Sequence, residues 1–425
     1  MTERTEAPAP DLERFHALFA DLGRFGATPK GGLHRLAAGH EDGQARDRLC
    51  ELLQQSGMAV RIDGIGNIFG LCEWSPGADF LLVGSHLDSQ PWGGRFDGAY
   101  GVVAALSVAI AHKAAIDHGQ PAPPLNLAVV NWTNEEGARF RPSLTGSSVY
   151  TGTLSEAEAH ALVDDDGTRL DEALGAIGYL GQDTPPTPAG CVEIHNELGR
   201  LLENEAAPIG AVTRNWGARK YELVFHGEQA HTGPTLMADR RDALVAASQM
   251  IVATRRLADL YPDEQLRTSV GRAVISPNSA NVVPARVAMS VELRSPESAI
   301  LDDLDQRVRA LWPEIEADTG CSVELVKQSA RQALNFWPSG VAATQAAAEA
   351  LGYACRELDT VAGHDVVAVM NRVPGVLINV PSYRGIGHNE AEYTDPESLG
   401  RGVEVLSRVV WQLLHDDPRQ TGNPS

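Results

Sequence analysis

Apolar runs that suit buried strands alternate along this chain with segments of helical character, and this alternation limits the folds open to it. DFLLVGSHLD (79–88) begins with such a run, and a glycine-rich turn then leads into the alanine-rich helix predicted over AYGVVAALSVAIAHKAA. LNLAVVNW (125–132) and PGVLINVP (374–381) have the same apolar character. Such strands, alternating with helices, are typical of sheets covered on both sides. The sequence therefore predicts an α/β fold with a mixed, largely parallel sheet and helices on both faces.

The pattern changes midway along the chain. KYELVFHGE (220–228) and RVAMSVELR (286–294) alternate polar and apolar residues, as strands with one solvent-facing side do. Long amphipathic helices are predicted after these strands, over ADRRDALVAASQMIVATRRLA (238–258) and PESAILDDLDQRVRALWPEI (296–315). We therefore expect a two-layer α+β insertion over 212–330, which interrupts a discontinuous α/β domain formed by 1–211 and 331–425.

The chain is acidic. It has 425 residues with 35 Lys and Arg against 56 Asp and Glu, so its formal net charge is −21. This charge argues against nucleic acid, whose binding needs an excess of cations, and against an anionic membrane surface. If the ligand is itself an anion, metal ions or a few arginines must invert the field locally.

Targeting signals and disulfides are not expected. No uninterrupted apolar stretch approaches the roughly 18 residues of a membrane-spanning helix, and the N-terminus lacks the apolar core of a signal peptide. The cysteines are far apart and odd in number, without a CxxC pair, which predicts free thiols in a reducing cytoplasm. They are Cys50, Cys72, Cys191, Cys321 and Cys355.

Polar residues follow the first apolar strand at the end where open α/β sheets place their sites. His86 and Asp88 come two residues apart in GSHLDS, so alternation sends both to one side. The carboxylate can orient the imidazole. Asp97 lies in GGRFDGAYG, where flanking glycines allow a close approach of the backbone. Asp97 is either a metal ligand or the N-cap of the following helix.

Two adjacent carboxylates, Glu135 and Glu136, follow the strand LNLAVVNW. Their mutual repulsion is costly unless a cation compensates it. A metal centre would use one as a ligand and the other as a general base towards water, whereas the alternative is a solvated acidic loop. The buried strand before them favours the metal centre.

Two more histidines stand near predicted strands. His195 lies in VEIHNELG between Glu193 and Glu197, and His388 follows the strand-like LINVPS. Histidines and carboxylates at the ends of separate strands are the ligands of a binuclear centre of divalent ions. We expect other histidines to be solvated: His16, His112, His118, His160 and His415.

Seven segments together resemble the M20 family of metallohydrolases, and within it the amidase/hydantoinase/carbamoylase group. They are ARDRLCELLQQSGMAVRIDGIGNIFG, GSHLDSQPWGGRFDGAYGV, TNEEGARF, GEQAHTGPTLMADRRDAL, PNSANVVPARV, GHD and GHNEAEYT. They follow the family's order over nearly the whole chain, which makes the resemblance highly specific. His364 and Asp365 of the GHD segment are expected to order a loop.

The resemblance implies a binuclear metal centre. Asp97 would bridge two divalent ions, usually zinc, although manganese, cobalt or nickel serve in some members. His86 and His195 would complete one site, and Glu136 and His388 the other.

The resemblance also implies catalytic and substrate-binding roles. Glu135 would be the general base, and Asp88 would support the histidine two residues before it. In the insertion, His231, Asn281 and Arg294 match positions that contact substrate, with His231 reaching into the site of a dimer partner. The insertion thus resembles the family's lid and dimerisation domain, and 1–211 with 331–425 its catalytic metal-binding domain. Arg294 offers a planar fork for a substrate carboxylate, and His231 a donor for the oxyanion.

The chain departs from the family pattern beside the ligands. Leu198 stands where relatives usually have glutamine, within an LGR sequence that ends at Arg200. Tyr383 and Arg384 precede the last metal histidine, in place of a small loop. Leu198 removes an amide and adds apolar surface, so a bulkier substituent is expected to fit. Arg384 either binds a second carboxylate or points into solvent.

The sequence predicts a metal-dependent hydrolase of a linear C–N bond, with an N-carbamoyl-L-amino acid as its small carboxylate substrate. β-Ureidopropionase, allantoate amidohydrolase and N-acyl amino acid amidase activities remain open, because the metal ligands determine only the chemistry at the scissile carbonyl. A metal-free binding relative is the non-enzyme alternative, which the complete set of predicted ligands disfavours. We expect a homodimer in the cytoplasm.

Overall fold

The structure, a computed structural model, describes residues 6–262, 264–416 and 419. Internal contacts divide the chain into two compact units. Unit 1 comprises Met1–Thr213 and Phe336–Ser425, and unit 2 comprises Arg214–Asn335. The roles predicted for the two regions, catalysis for one and lid and dimerisation for the other, stay predictions.

The helices and strands of the described residues are numbered here in chain order. The α-helices are α1 (Leu12–Leu22), α2 (His40–Gln55), α3 (Ala99–Asp117), α4 (Thr145–Thr151), α5 (Glu156–His160), α6 (Leu170–Ala176), α7 (Leu201–Glu205), α8 (Ala243–Leu257), α9 (Ser298–Thr319), α10 (Pro338–Ala350), α11 (Asp365–Val369) and α12 (Pro396–His415). The strands are β1 (Ala59–Ile62), β2 (Ile68–Cys72), β3 (Phe80–His86), β4 (Asn126–Trp132), β5 (Pro188–Asn196), β6 (Ile209–Asn215), β7 (Gly217–His226), β8 (Ala230–His231), β9 (Arg267–Ser276), β10 (Val282–Val283), β11 (Arg286–Ser295), β12 (Ser322–Arg331), β13 (Leu334–Asn335), β14 (Cys355–Thr360) and β15 (Gly375–Val380).

The sheet of unit 1 is mixed, with a parallel centre. Within unit 1 its strand order is β1-β2-β4-β3-β5-β15-β6, with β14 beside β6. β4, β3, β5 and β15 are parallel, while β2 and β6 flank them in antiparallel orientation. Every residue of the four central strands is buried, and since alternate residues point to opposite faces, both faces are covered. The predicted α/β class is confirmed.

The apolar helix α3 lies in the core of unit 1. It packs on β3 and β4 and against α1 and α12. Its length and composition would suffice to cross a membrane, but 67% of the apolar window is buried inside the protein, as in the core helix of a globular domain. His112 of α3 is therefore fully buried, with Nε2 2.9 Å from Ser407 Oγ. The prediction that His112 is solvated was wrong, because α3 is covered nearly all round.

Unit 2 contains a four-stranded antiparallel sheet in the order β12-β7-β11-β9, against which α8 and α9 pack. This two-layer α+β arrangement agrees with the predicted fold of the insertion. α8 begins only at Ala243, later than the amphipathic pattern suggested, because Asp242 Oδ1 accepts hydrogen bonds from the N–H groups of Leu244 (2.9 Å) and Val245 (3.3 Å). A small separate ladder pairs β8 with β10.

Candidate metal centre

The parallel centre of the sheet gathers the predicted ligands at one edge. His86 is the last residue of β3, Glu135 and Glu136 follow the end of β4, and His195 is the penultimate residue of β5. Carboxyl ends of neighbouring parallel strands meet at the same sheet edge, where open α/β folds place their sites. Topology thus brings together residues that are far apart in sequence.

Asp97 lies between two groups of these side chains. Its Oδ1 is 3.0 Å from Nε2 of His195 and 3.5 Å from Nε2 of His86. Its Oδ2 is 3.4 Å from Nε2 of His388, which in turn lies 3.3 Å from Oε2 of Glu136. The two groups share Asp97, and each has the donor types and spacing to hold a metal ion.

The buried histidines present Nε2 to this centre. Nδ1 of His86 is 2.9 Å from the carbonyl oxygen of Asp88, and Nδ1 of His195 is 2.9 Å from that of Asn196. A carbonyl only accepts, so in the neutral ring Nδ1 carries the proton and Nε2 keeps its lone pair for a ligand. Gly98 makes this packing possible, since it has a φ of 68° and a Cβ there would overlap the His86 ring.

Asp88 acts mainly on the two glutamates. Its carboxylate oxygens accept hydrogen bonds from the backbone N–H groups of Glu135 and Glu136, both at 3.2 Å. The same carboxylate is 3.9 Å from Nδ1 of His86, whose close contact is the Asp88 backbone carbonyl. The predicted support of His86 thus comes from the backbone, while the Asp88 side chain fixes the glutamate loop.

The centre has an excess of buried acid. Burial raises the pKa of six carboxyl groups here: Asp88, Glu135, Glu136, Glu193, Asp365 and Glu392. The pKa reaches about 7 for Glu136 and about 8 for Glu392, through burial first and the Asp97 charge second. Burial acts in the same direction on Asp97, but contacts with the three histidines hold its pKa well below the usual value.

These features fit bound cations. Buried carboxylates are costly unless a positive charge compensates them, and divalent ions would do so. Asp97 Oδ2 is a buried oxygen without a hydrogen-bond partner among the described residues. The donor set of imidazole and carboxylate suits zinc and the neighbouring divalent metals.

Glu392 is a site residue that sequence reasoning missed. One of its oxygens, Oε1, accepts hydrogen bonds from the backbone N–H groups of Asp97 (2.8 Å) and Phe96 (3.2 Å). It therefore fixes the turn that carries the central carboxylate. The available signal was an acidic residue close after His388, but Glu390 shares that signal.

The GHD segment lies directly behind the histidines. The rings of His364 and His195 pack edge to face with centroids 4.7 Å apart. Asp365 accepts a hydrogen bond from Ser147 Oγ at 2.6 Å, and the next N–H, of Val366, donates to Glu193 at 2.9 Å. These contacts support the ordering role expected for the segment.

The predicted substrate residues of unit 2 belong to two different sheets. His231 is exposed on β8 opposite Val282, and the carbonyl of Asn281 accepts a hydrogen bond from Thr232 N at 3.2 Å. His231 and Asn281 are therefore neighbours. Arg294 lies on β11, where its Nε donates to Glu292 Oε1 at 2.9 Å.

The residues that depart from the family pattern lie around His388. Tyr383 and Arg384 form an exposed 3₁₀ turn, and the N–H of Arg384 donates to Glu203 Oε2 at 2.9 Å. Leu198 is half-buried, and Arg200 is exposed with Nε 4.0 Å from Glu203 Oε2. The hydrogen bond to Glu203 anchors the backbone of Arg384.

Comparison with known proteins decides the family. Residues 82–412 match the model of peptidase family M20/M25/M40. The chain belongs to this family. A hydrolase of Mycolicibacterium smegmatis is 44% identical over 96% of this chain and 94% of its own length. As the sequence predicted, the chain is an amidohydrolase of the M20 family.

Two further relatives and one solved structure agree with this assignment. An N-carbamoyl-L-amino-acid amidohydrolase of Rhizobium meliloti is 34% identical (94% of this chain, 96% of the relative), and an allantoate amidohydrolase of Bacillus subtilis is 33% identical (93% and 96%). The crystal structure of an amidase of the hydantoinase/carbamoylase family from Burkholderia vietnamiensis has a TM-score of 0.90 and 36% identity, covering 95% of this chain and 97% of its own.

Proposed function

We propose that this chain hydrolyses N-carbamoyl-L-amino acids at a binuclear metal centre, giving the L-amino acid, ammonia and carbon dioxide. The position of Asp97 carries the proposal, since its two oxygens face two separate groups of nitrogen and carboxylate donors. A shared carboxylate of this kind is what a two-metal hydrolytic site requires. The similarity to carbamoylases supports the choice of substrate.

Five side chains would hold the metal ions. His86 and His195 would bind one ion, Glu136 and His388 the other, and Asp97 would bridge them. We propose zinc, with manganese, cobalt or nickel as possible replacements. When bound, the ions would supply Lewis-acid polarisation of the scissile carbonyl and of water.

Glu135 is the proposed general base. Its Oε2 lies 3.5 Å from Nε2 of His86, and its backbone is fixed by Asp88, so the carboxylate is held beside the centre without being needed as a ligand. It would take a proton from the attacking water and pass it to the leaving nitrogen. Burial raises its pKa well above the usual value, and nearby carboxylates add to this, whereas bound cations would favour the ionised form that accepts the proton.

Substrate binding is assigned to unit 2. Arg294 would pair with the substrate carboxylate, Asn281 would add an amide hydrogen bond, and His231 of the partner subunit would stabilise the oxyanion in a homodimer. The exposure of His231 supports a role towards a second chain. Arg384 remains a candidate for a second carboxylate on the substrate.

We also propose a cytoplasmic location. All five cysteines lie in the described part of the chain and are free thiols. Unpaired, mostly buried cysteines are usual in a reducing compartment.

An ammonia assay tests the proposal. The zinc-loaded protein should release ammonia from N-carbamoyl-L-amino acids faster than from N-carbamoyl-β-alanine or allantoate. N-Acetyl-amino acids are tested in parallel, and their hydrolysis is measured as release of the free amino acid. Turnover of the acetyl compounds alone, without ammonia from any ureido compound, would make the chain an N-acyl amino acid amidase.

A further inference from the structure

A strained tryptophan lies next to the candidate metal centre. Residues Gln90–Gly93 form a tight turn in which the N–H of Gly93 donates to the carbonyl of Gln90 at 3.1 Å. Pro91 is the second residue and Trp92, with a φ of 55°, is the third. Proline followed by a positive φ is the pattern of a type II turn, whose third position favours glycine or asparagine. A bulky aromatic residue is disfavoured there.

Burial does not explain why tryptophan occupies this position. Trp92 is 56% exposed, and its ring packs against the ring of His34 with centroids 5.1 Å apart. An exposed side chain gains little from the hydrophobic effect to offset an unfavourable backbone conformation. Strained residues of this kind cluster at functional sites.

The turn is fixed to the metal centre at its first residue. Gln90 donates from its backbone N–H to Glu136 Oε1 (3.1 Å) and from its side-chain Nε2 to Glu136 Oε2 (2.9 Å). At the other end, Gly93 and Leu33 exchange two backbone hydrogen bonds of 2.9 Å. Trp92 is therefore held at a fixed distance from Glu136.

A second apolar side chain, Leu198, lies near His388, which is paired with Glu136 in the proposed metal site. A Cβ on Gly387 would lie 2.5 Å from Cδ2 of Leu198, so Leu198 packs directly against the residue before His388. The carboxylate of Glu197 accepts hydrogen bonds at 2.9 Å from two backbone N–H groups of the following helix, which fixes this segment. Trp92 thus lies two residues after the hydrogen-bond partner of Glu136, and Leu198 packs on the residue before His388.

We propose that Trp92 and Leu198 form the walls that receive the substrate side chain, so that the enzyme selects amino-acid derivatives with large apolar side chains. The inference rests on the proposed function and adds the substrate class to it. A leucyl or phenylalanyl side chain would gain buried apolar contact with these walls, whereas a charged substituent would lose hydration without a partner. The expected preference for leucine over glycine derivatives is about 10- to 100-fold in kcat/KM.

The test compares N-carbamoyl-L-leucine, N-carbamoylglycine and N-carbamoyl-L-aspartate on the metal-loaded protein. In W92G and L198Q, the leucine-to-glycine ratio of kcat/KM should fall at least about tenfold, mainly through the KM of the leucine derivative. W92G should also melt no lower than the parent protein, because it removes the strained residue. Ala206→Gly is the matched control, since Ala206 also has a positive φ (51°) outside the site, and it should leave the ratio unchanged.

The outcomes separate the two proposals. If none of the ureido compounds releases ammonia, the proposed function fails. If they do, but leucine has no advantage in the parent protein or keeps it in both variants, the selectivity inference is wrong. A lower melting temperature of W92G with equal losses on all substrates would give Trp92 a structural role only, and an unchanged ratio in L198Q would remove Leu198 from the walls.

Discussion

Replacing Gly98 with alanine should weaken metal binding as well as the fold. Gly98 has a φ of 68°, and a Cβ there would lie closer than 3.0 Å to three atoms of the His86 ring. With ψ at −52°, this backbone lies outside the left-handed helical region, so it disfavours alanine before any side-chain contact is considered. The overlap then forces His86 to move, which breaks the contact between its Nδ1 and the carbonyl oxygen of Asp88.

The expected decrease in zinc affinity follows from the loss of this orienting contact. Displacing a partner that orients a ligand typically reduces metal affinity 10- to 100-fold, which corresponds to about 1.4–2.7 kcal/mol. Gly178→Ala is the matched control in the same unit, because Gly178 has a φ of 79° but a Cβ there would meet nothing within 4 Å. Both variants should lose stability because alanine disfavours a positive φ, and only Gly98→Ala should lose zinc affinity.

Zinc competition against a fluorescent chelator measures the affinity, and thermal unfolding followed by circular dichroism measures the stability. If Gly98→Ala binds zinc as tightly as Gly178→Ala, then His86 is not a ligand held in place by this close packing. Unfolding of Gly98→Ala at the assay temperature is checked by the same spectra, and the metal-free forms of both variants provide the reference.

Three further predictions concern other groups. Glu135→Gln should keep the metal content and reduce kcat by about 10²- to 10⁴-fold, whereas Glu136→Gln should lose metal as well; the reverse pattern in elemental analysis would exchange their roles. Burial lowers the pKa of His112 to about 3, so the unfolded chain binds the proton more readily and stability is lost as pH falls below about 6.5. The loss should reach about 2 kcal/mol at pH 5, and urea unfolding of His112→Gln should show that much less acid sensitivity. Glu392→Ala should reduce zinc affinity about 10- to 100-fold by freeing the turn of Asp97, while unchanged affinity would contradict its positioning role.

The sequence predicted the class of the fold and the strands that carry the site because these strands are buried on both faces. β4 and β15 agree with the predicted apolar runs to within one residue, and β3 lies within 79–88. β9 was not predicted, since its residues alternate only between exposed and half-exposed positions and leave no apolar period to detect. The start of α8 was placed too early, because periodicity does not register the cap that Asp242 provides.

The ligands could be proposed because histidines and acids follow several predicted strands and match the family's motifs. The contacts that hold them could not, because they depend on backbone groups. Asp88 binds two N–H groups of the glutamate loop, and Glu392 binds the N–H groups of Phe96 and Asp97. The sequence shows the acidic residue, but it does not show the loop conformation that places the backbone N–H groups within hydrogen-bond distance of it.

Metal titration of the stripped protein tests the central claim most directly. Protein freed of metal with a chelator should release no ammonia from its best N-carbamoyl-amino acid. Activity should return on adding zinc and reach its maximum at two ions per chain, and Asp97→Asn should not recover. Full turnover by the metal-free protein, or a maximum at one ion per chain, would contradict a binuclear centre bridged by Asp97.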